Sequence, residues 1–418
     1  MRPQIPHQIS YLLAETLNKG LQYTLAGGLS FIGTLSIIVL RVLKRMPQST
    51  ELEIYGKDFS TLSVELLEHD TWYIRNAKLF PLVLRGKLAL VGISIRSMAE
   101  SAAPAILRPH TPGIISLYLI RKSSRLSNTH AVDCDLEYLR ERGAFTDLSL
   151  LLQSLVALLF HQSTPVADKE LNIFGIRMLN ISMAEAIAML GNKIEKREKT
   201  PAFFVNADCL NKVFVDKEYC SILKSSETVF PDGSGINLAA KLLGSAVKEN
   251  VNGTDMLPCL CELAQENGYN MYFLGAAPGV AESMAQKLRE KYADLQICGT
   301  RSGYFDWNTE AQEVIREINS SRADILLVAL GAPMQERFIS LYGGQIDAPV
   351  QMGVGGLFDF YSHRIARAPL WMRQIGMEWV FRLIQEPQRM WKRYIIGNPL
   401  FIFRVYRWRN GGRKDIHQ

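Results

Sequence analysis

The chain has 418 residues, 48% hydrophobic and 21% charged, which supplies large cores and excludes a disordered or fibrous protein. Its length suits two or three domains. The formal charge of +6 is unevenly spread, because residues 364–414 hold twelve Lys/Arg against two Asp/Glu and leave the remainder near −4, so the basic character is local and implies a local anionic partner.

Six cysteines (Cys134, Cys209, Cys220, Cys259, Cys261 and Cys298) lack CxxC spacing and a nearby His pair. They read as buried or free thiols in a reducing compartment, and no metal site is expected. In chain order, the first notable stretch is Gly20 to Leu40, uncharged, with Lys19 before it and Arg41, Lys44 and Arg45 after. It is about long enough to cross a bilayer, and it lacks the small-residue cleavage site of a signal peptide. Basic residues at both ends blur the positive-inside pattern. Gly27, Gly28, Ser30 and Gly33 offer places to bend the helix so that both ends stay on the cytoplasmic side. Residues 1–48 therefore read as a membrane-associated helical segment.

Residues 49–163 read as a small mixed α/β unit. Val83-Leu-Arg-Gly-Lys-Leu-Ala-Leu-Val-Gly92, Thr111-Pro-Gly-Ile-Ile115, Leu136-Glu-Tyr138 and Asp147-Leu-Ser-Leu-Leu151 resemble the closing half of the bacterial sugar transferases. That family moves a sugar-1-phosphate onto polyprenyl phosphate with an Asp-Glu pair, whose positions fall here on Arg75 and Asn76. Neither can act as a carboxylate nucleophile or hold Mg²⁺. The resemblance thus implies a degenerate unit that anchors and positions its partner, with sugar-1-phosphate transfer as an alternative that lacks its acidic pair. Asp133-Cys-Asp135 imitates a metal-binding Asp-x-Asp and reads as an exposed acidic turn.

A boundary falls near His161 to Lys169. Beyond it Leu171 to Met178 reads as a strand, and Ser182 to Arg197 as a helix with Met183, Ile187, Leu190 and Ile194 as its core stripe. Phe203–Val205, Thr228–Phe230, Met271–Leu274, Leu295–Ile297, Ile325–Leu330 and Val350–Met352 read as further strands with helices between most of them. That alternation predicts an α/β, Rossmann-like, mainly parallel sheet with helices on both faces over residues 164–362.

The segment Val229-Phe-Pro-Asp-Gly-Ser-Gly-Ile236 puts Asp232 where an open α/β sheet binds ligands, at the carboxyl end of a strand, with a helix expected from Ile236 to Val247. Gly233 and Gly235 let backbone approach a ligand, and the next helix's first N–H groups suit a phosphate. Leu274-Gly275-Ala-Ala-Pro-Gly279 and Gly353-Val-Gly355-Gly356 are two more glycine turns after strands. The first lacks G-x-G-x-x-G spacing and a ribose-clamping acid, which argues against a nicotinamide dehydrogenase.

Several segments together carry a second resemblance: Asn206-Ala-Asp208, Pro231-Asp-Gly-Ser-Gly235, Gly253-Thr-Asp255, Phe273–Gly279 and Gly303-Tyr-Phe305. With them go Leu330-Gly-Ala-Pro-Met-Gln335-Glu336, Gly353–Asp359, Arg367-Ala-Pro369, Glu378-Trp379 and Glu386-Pro-Gln-Arg389. In order and spacing they resemble the WecG/TagA/CpsF glycosyltransferases along residues 165–410. The resemblance implies an inverting enzyme that needs neither metal nor other cofactor. It would move a sugar of the N-acetylmannosamine type from a UDP-sugar donor to a polyprenyl-diphosphate-linked acceptor, for a surface polysaccharide, at the cytoplasmic face of the bacterial plasma membrane. By the same resemblance Asp232 is the general base, Asn206 and Gln335 are substrate-associated, and a homo-oligomer stays open. Arg364, Arg367 and Arg373 are available to stabilise the leaving diphosphate. Two positions depart from the family pattern: Asn250 stands where an Arg is expected and Phe204 where a Thr is, which keeps a non-catalytic scaffold as a rival reading.

In residues 363–418, Trp371, Trp379, Trp391, Tyr394, Phe401, Phe403, Tyr406 and Trp408 interleave with arginines and lysines. That mixture suits an anionic membrane surface. Single-stranded nucleic acid would suit it too, but the apolar N-terminal stretch favours the membrane.

Overall fold

A computed structural model describes residues 7–43, 45–57, 60–69, 71–97, 104–126, 129–160 and 168–411. The chain divides into two compact units, Met1–Pro165 with Gln374–Gly376, and Val166–Arg373 with Met377–Gln418.

The first unit opens with one uninterrupted helix, α1 (His7–Val42), in which Ala14–Val42 is long and apolar enough to cross a membrane, with mean hydropathy 1.9. An antiparallel hairpin, β1 (Ser49–Tyr55) and β2 (Thr61–Leu67), follows. Next come the short helices α2 (Trp72–Arg75) and α3 (Phe80–Leu84) and a parallel pair, β3 (Ala89–Val91) and β4 (Gly113–Ile115). α4 (Leu117–Ser123), α5 (Ala131–Glu141) and α6 (Ala144–Phe160) complete the unit. β3 and β4 meet through glycine, since a Cβ on Gly113 would stand 2.1 Å from the Gly92 nitrogen. Arg75 and Asn76 end α2, where the Asn76 amide donates to the Trp72 carbonyl at 2.8 Å. Asp133 and Asp135 do not form an exposed turn. They lie on α5, and Asp135 is buried, accepting from the Ser94 N–H and hydroxyl at 2.7 Å each and from Arg96 at 2.6 Å. Helical period separates the two acids: Asp133 faces water while Asp135 pins the loop after β3.

The second unit starts with a hairpin, β5 (Glu170–Ile173) and β6 (Ile176–Leu179), where one strand was expected. Phe174 and Gly175 take φ of 60° and 82°, which turns the chain and buries the Phe174 ring. α7 (Met183–Glu195) begins in a capping box between Ser182 and Glu185. It buries Met183, Leu190 and Ile194 and leaves Ile187 half-buried. Then follow β7 (Thr200–Val205), α8 (Ala207–Lys212), α9 (Lys217–Ser225), β8 (Thr228–Pro231), α10 (Ser234–Leu242) and α11 (Gly253–Asn267). α10 stops five residues before Val247 because Gly244 turns left-handed at φ 78°. β9 (Met271–Gly275), α12 (Val280–Lys291), β10 (Ile297–Arg301), α13 (Ala311–Ser320), β11 (Ile325–Ala329), α14 (Met334–Tyr342), β12 (Val350–Gly353) and α15 (Leu357–Tyr361) continue the alternation. β10 thus begins where the expected 295–297 strand ends.

The six strands from β7 to β12 form one parallel sheet in the order β10-β9-β11-β12-β7-β8. Side chains alternate between its faces. Phe203, Val205, Val229, Leu274 and Val328 enter the core on one side, and Phe204, Phe230, Phe273, Leu327 and Met352 enter the core on the other. The expected α/β sheet covered on both faces is what the chain forms.

The chain ends in α16 (Leu370–Gln374), α17 (Glu378–Gln385), α18 (Pro387–Trp391), a π-helical turn (Lys392–Ile396) and α19 (Gly397–Asn410). α19 folds back onto the sheet's helices. Phe401 and Val405 are buried, Phe174 packs edge-on against both Phe401 and Trp408, and Arg404 donates to the Asn211 carbonyl and stacks over Phe214. Part of the aromatic and basic set expected at a membrane surface is therefore core. Trp371, Trp391, Phe403 and Tyr406 remain exposed.

Candidate functional site

Asp232 follows β8 directly, and its N–H continues the ladder by donating to the Val205 carbonyl at 2.9 Å. Gly233 then reverses the chain at φ 87°, a conformation glycine adopts without strain, and α10 begins. The Gly233 N–H donates to Asn250 Oδ1 at 2.7 Å. Asn250, where an arginine was expected, therefore fixes the turn that presents the acid. Gly235 serves close packing, since a Cβ there would stand 3.0 Å from the Ala207 Cβ.

Asn206 caps α8 by accepting from the Asp208 and Cys209 N–H groups, and its amide donates to Asp232 Oδ2 at 3.4 Å. Helix cap and acid partner are the same side chain. Asp232 is half-buried and keeps part of its surface open to solvent. Burial raises its pKa above the ordinary carboxylate value, opposed by the Asn206 hydrogen bond and the charges of Arg393 and Arg382, with Asp255 adding to the rise.

The C-terminal helices close around this acid. Arg393 lies 3.7 Å from Asp208 and stacks over Tyr394. Arg382, from α17, stands 3.6 Å from Glu386 and lies over the Phe360 ring. A Cβ on Gly356 would come within 3.6 Å of the Arg382 guanidinium, so this cation lies against the loop after β12. Neither arginine was among those expected at the site. Both lie more than 140 positions from Asp232, and only the fold-back of α17 to α19 makes them neighbours.

The three expected arginines sit differently. Arg367 pairs with Asp255 at 2.6 Å and approaches Glu378 at 3.5 Å, and Arg373 stands 3.9 Å from the same Asp255 oxygen. Burial raises the Glu378 pKa against the pull of Arg367, and burial together with Arg367 lowers that of Arg373. Arg364 is 58% exposed beside Asp359, toward solvent. Asp255 is itself anchored by the Asn252 amide at 2.7 Å in the first turn of α11. The ring of Phe204, in place of the expected threonine, stacks on Phe230 and would lie 3.2 Å from a Cβ on Gly253, which supports that turn from below.

Gln335 is buried and ties two elements together. Its Oε1 accepts from the Gly355 N–H at 2.8 Å, and its amide donates to Glu336 at 3.0 Å. A Cβ on Gly353 would stand 3.0 Å from that amide, so the glycine gives the glutamine room to hold the loop after β12. Gly275, at φ 138°, permits backbone contact with β11, where a Cβ would stand 2.5 Å from the Ala329 carbonyl oxygen. Asp255 and Glu378 belong to segments that carry the resemblance, Gly253-Thr-Asp255 and Glu378-Trp379, but nothing in spacing alone pairs them.

A partly open carboxylate of raised pKa near half-buried guanidinium groups can take a proton from a hydroxyl while an anion is held nearby. A sequence profile of the glycosyl transferase WecG/TagA/CpsF family matches residues 171–415. The chain is 32% identical over 191 residues, 46% of this chain and 73% of the relative, to a Bacillus subtilis N-acetylglucosaminyldiphosphoundecaprenol N-acetyl-beta-D-mannosaminyltransferase. A protein of the same name from Bacillus spizizenii is 30% identical over 196 residues, 47% and 74% of the two chains. One from Staphylococcus aureus is 24% identical over 242 residues, 56% and 92%.

Proposed function

The chain belongs to the WecG/TagA/CpsF glycosyltransferase family and is a glycosyltransferase, and from that premise we propose that it moves a sugar of the N-acetylmannosamine type from a UDP-sugar to a polyprenyl-diphosphate-linked saccharide. Transfer inverts the anomeric carbon and requires no metal. The relatives are named for an N-acetylglucosaminyldiphosphoundecaprenol acceptor, and an acceptor of that kind is assigned to this protein.

The observation that carries this reading is Asp232 half-buried at the end of β8, with raised basicity and with the charges of Arg382 and Arg393 acting on it. The Asn206 amide occupies Oδ2, which leaves Oδ1 for the acceptor hydroxyl. As that oxygen bonds to C1 of the donor sugar, its proton passes to Asp232. The C1–O bond to UDP breaks on the opposite face, so configuration inverts. Negative charge growing on the diphosphate is met by Arg382 and Arg393, while Arg367 and Arg373 hold Asp255 and Glu378 in place. The lipid-linked acceptor places the enzyme at the membrane, and the UDP-sugar places it on the cytoplasmic face. In this reading the first unit is a degenerate sugar-transferase-like anchor without Asp or Glu at positions 75 and 76.

The test is a panel of UDP-sugars with polyprenyl-diphosphate N-acetylglucosamine as acceptor, with and without EDTA. UDP release coupled to lipid glycosylation, undiminished by EDTA, is expected. Release of UMP would instead assign a sugar-1-phosphate transfer, and loss of turnover with EDTA would overturn metal independence.

A further inference from the structure

Helix α6 is apolar on both faces: it buries Leu150, Leu151 and Ala157 together with its polar side chains, and it is apolar outward as well. Its polar side chains turn into the first unit, where Asp147 is buried and accepts from the amides of Asn18 and Gln22 at 2.8 and 2.9 Å and from the Tyr138 hydroxyl at 2.8 Å. Ser154 and Gln153 are buried too, bonded to the Leu151 carbonyl and the Ser149 hydroxyl. The outward stripe is Phe145, Leu148, Leu152 and Leu155, with Phe145 85% and Leu155 70% exposed. A helix in water carries polar side chains on its outward face.

Helix α1 repeats the pattern. Asn18 and Gln22 point inward, Ala26 is fully buried, and Leu17, Phe31, Leu35, Ile38 and Val42 are exposed. The hydroxyls of Thr24 and Thr34 are satisfied within the helix by the carbonyls of Gly20 and Ser30, as lipid-facing hydroxyls must be. The knot of Asn18, Gln22 and Asp147 ties the first turn of α6 to the middle of α1, so their apolar stripes adjoin.

α1 is also packed along its length. Gln22 accepts from the Val91 N–H of β3 at 3.2 Å, Tyr73 donates to the Leu29 carbonyl at 3.0 Å, and a Cβ on Gly33 would lie 3.1 Å from the Ala77 Cβ. Contacts from Asn18 to Gly33 cover roughly 22 Å of helix, most of a bilayer's hydrocarbon thickness. A helix crossing the bilayer in this packing would carry β3 and β4, a two-stranded sheet with open edges, into hydrocarbon, where unpaired backbone is not tolerated.

We infer that α1 does not cross the membrane, and that α1 and α6 together form one apolar face on which the first unit lies in a single leaflet of an anionic bilayer. Arg140 and Arg142 are exposed beside the tie, where Lys19 pairs with Glu15 at 2.9 Å, and Arg41 lies in the last turn of α1, so the arginines are placed to meet headgroup phosphates. A lipid surface suits this face because the polar groups of both helices are already satisfied inward.

The inference rests on the membrane seating proposed above, and the experiment separates the two. The full chain, with half-buried Cys259 and Cys298 replaced by Ser, carries one nitroxide at a time on Leu17→Cys, Phe31→Cys, Val42→Cys, Leu148→Cys or Leu155→Cys, in vesicles of phosphatidylglycerol and phosphatidylcholine. Oxygen and nickel-chelate accessibilities give the depth of each label. All five are expected at similar, shallow depth. Leu152→Glu with Leu155→Glu is expected to lower vesicle partitioning about tenfold or more, given the apolar area removed from lipid. A depth profile that rises from Leu17 to Phe31 and falls to Val42 would overturn the single-leaflet placement. Labels on α6 that read as aqueous while α1 is immersed would remove α6 from the face. Spin–spin coupling between copies at Leu155→Cys would give the stripe to a second copy of the chain, and a protein that fails to bind vesicles at all would refute the membrane seating itself.

Discussion

Replacing Arg367 by methionine tests the electrostatic frame around Asp232. The guanidinium lies 2.6 Å from Asp255 and 3.5 Å from Glu378, and about a quarter of the Arg367 and Asp255 side chains is exposed. Removing one partner of a fully buried pair costs about 3–5 kcal/mol because the other charge stays uncompensated. The partial exposure here reduces that to about 2–3 kcal/mol, and in a unit of this size the melting temperature should fall by roughly 5–10 °C. The loss depends on pH in a definite sense. Arg367 holds the Glu378 pKa down against burial, so its removal raises the folded-state pKa of Glu378. A raised carboxyl binds more protons in the folded than in the unfolded state, so the deficit shrinks as pH falls through the carboxyl range. Thermal denaturation of Arg367→Met at pH 7 and pH 5 should show the larger deficit at pH 7. Adding Asp255→Asn should recover part of the loss at pH 7. A fall below about 2 °C, equal at both pH values and indifferent to Asp255→Asn, would refute the frame.

Three further outcomes follow from the geometry. Because burial raises the Asp232 pKa, kcat/KM should decline as pH falls through a value above that of an ordinary aspartate, and the decline should vanish in Asp232→Asn. Glu336 is fully buried, its pKa is raised by burial, and its Oε2 meets no hydrogen-bond partner among the described residues, so Glu336→Gln should raise the melting temperature at pH 7, with the gain shrinking as pH falls. Gly275→Ala should destabilise the second unit by about 3 kcal/mol, since the added Cβ meets backbone and the residue sits at positive φ; urea denaturation gives the number.

What could be read from the sequence follows the range of the interactions. The alternation of apolar runs with 3.6-period stretches is local, and it yields the parallel sheet and Asp232 at the end of β8. The hairpin of β5 and β6 was hidden because Phe174 is a poor turn residue by type, and its positive φ is enforced by the core that receives its ring. Asp135 shares a sequence pattern with exposed acidic turns, and only the return of Ser94 and Arg96 identifies it as buried. The arginines beside Asp232 were visible as basic residues, but their roles were not. α17 and the chain after it bring Arg382 and Arg393 over the sheet rim, while Arg367 and Arg373 are taken up by Asp255 and Glu378. Phe204 and Asn250, departures that looked like lost function, have structural work in the fold as a ring under Gly253 and as the acceptor for the Gly233 N–H.

The most direct measurement is turnover of Asp232→Asn with a UDP-sugar and a polyprenyl-diphosphate acceptor, alongside calorimetric binding of UDP. Asparagine keeps the shape and cannot take the proton, so kcat should fall by about 10²–10⁴-fold while UDP affinity changes little. Turnover within a few-fold of the unaltered protein would contradict the assignment of the base, and UDP binding to neither form would turn the second unit from an enzyme into a scaffold.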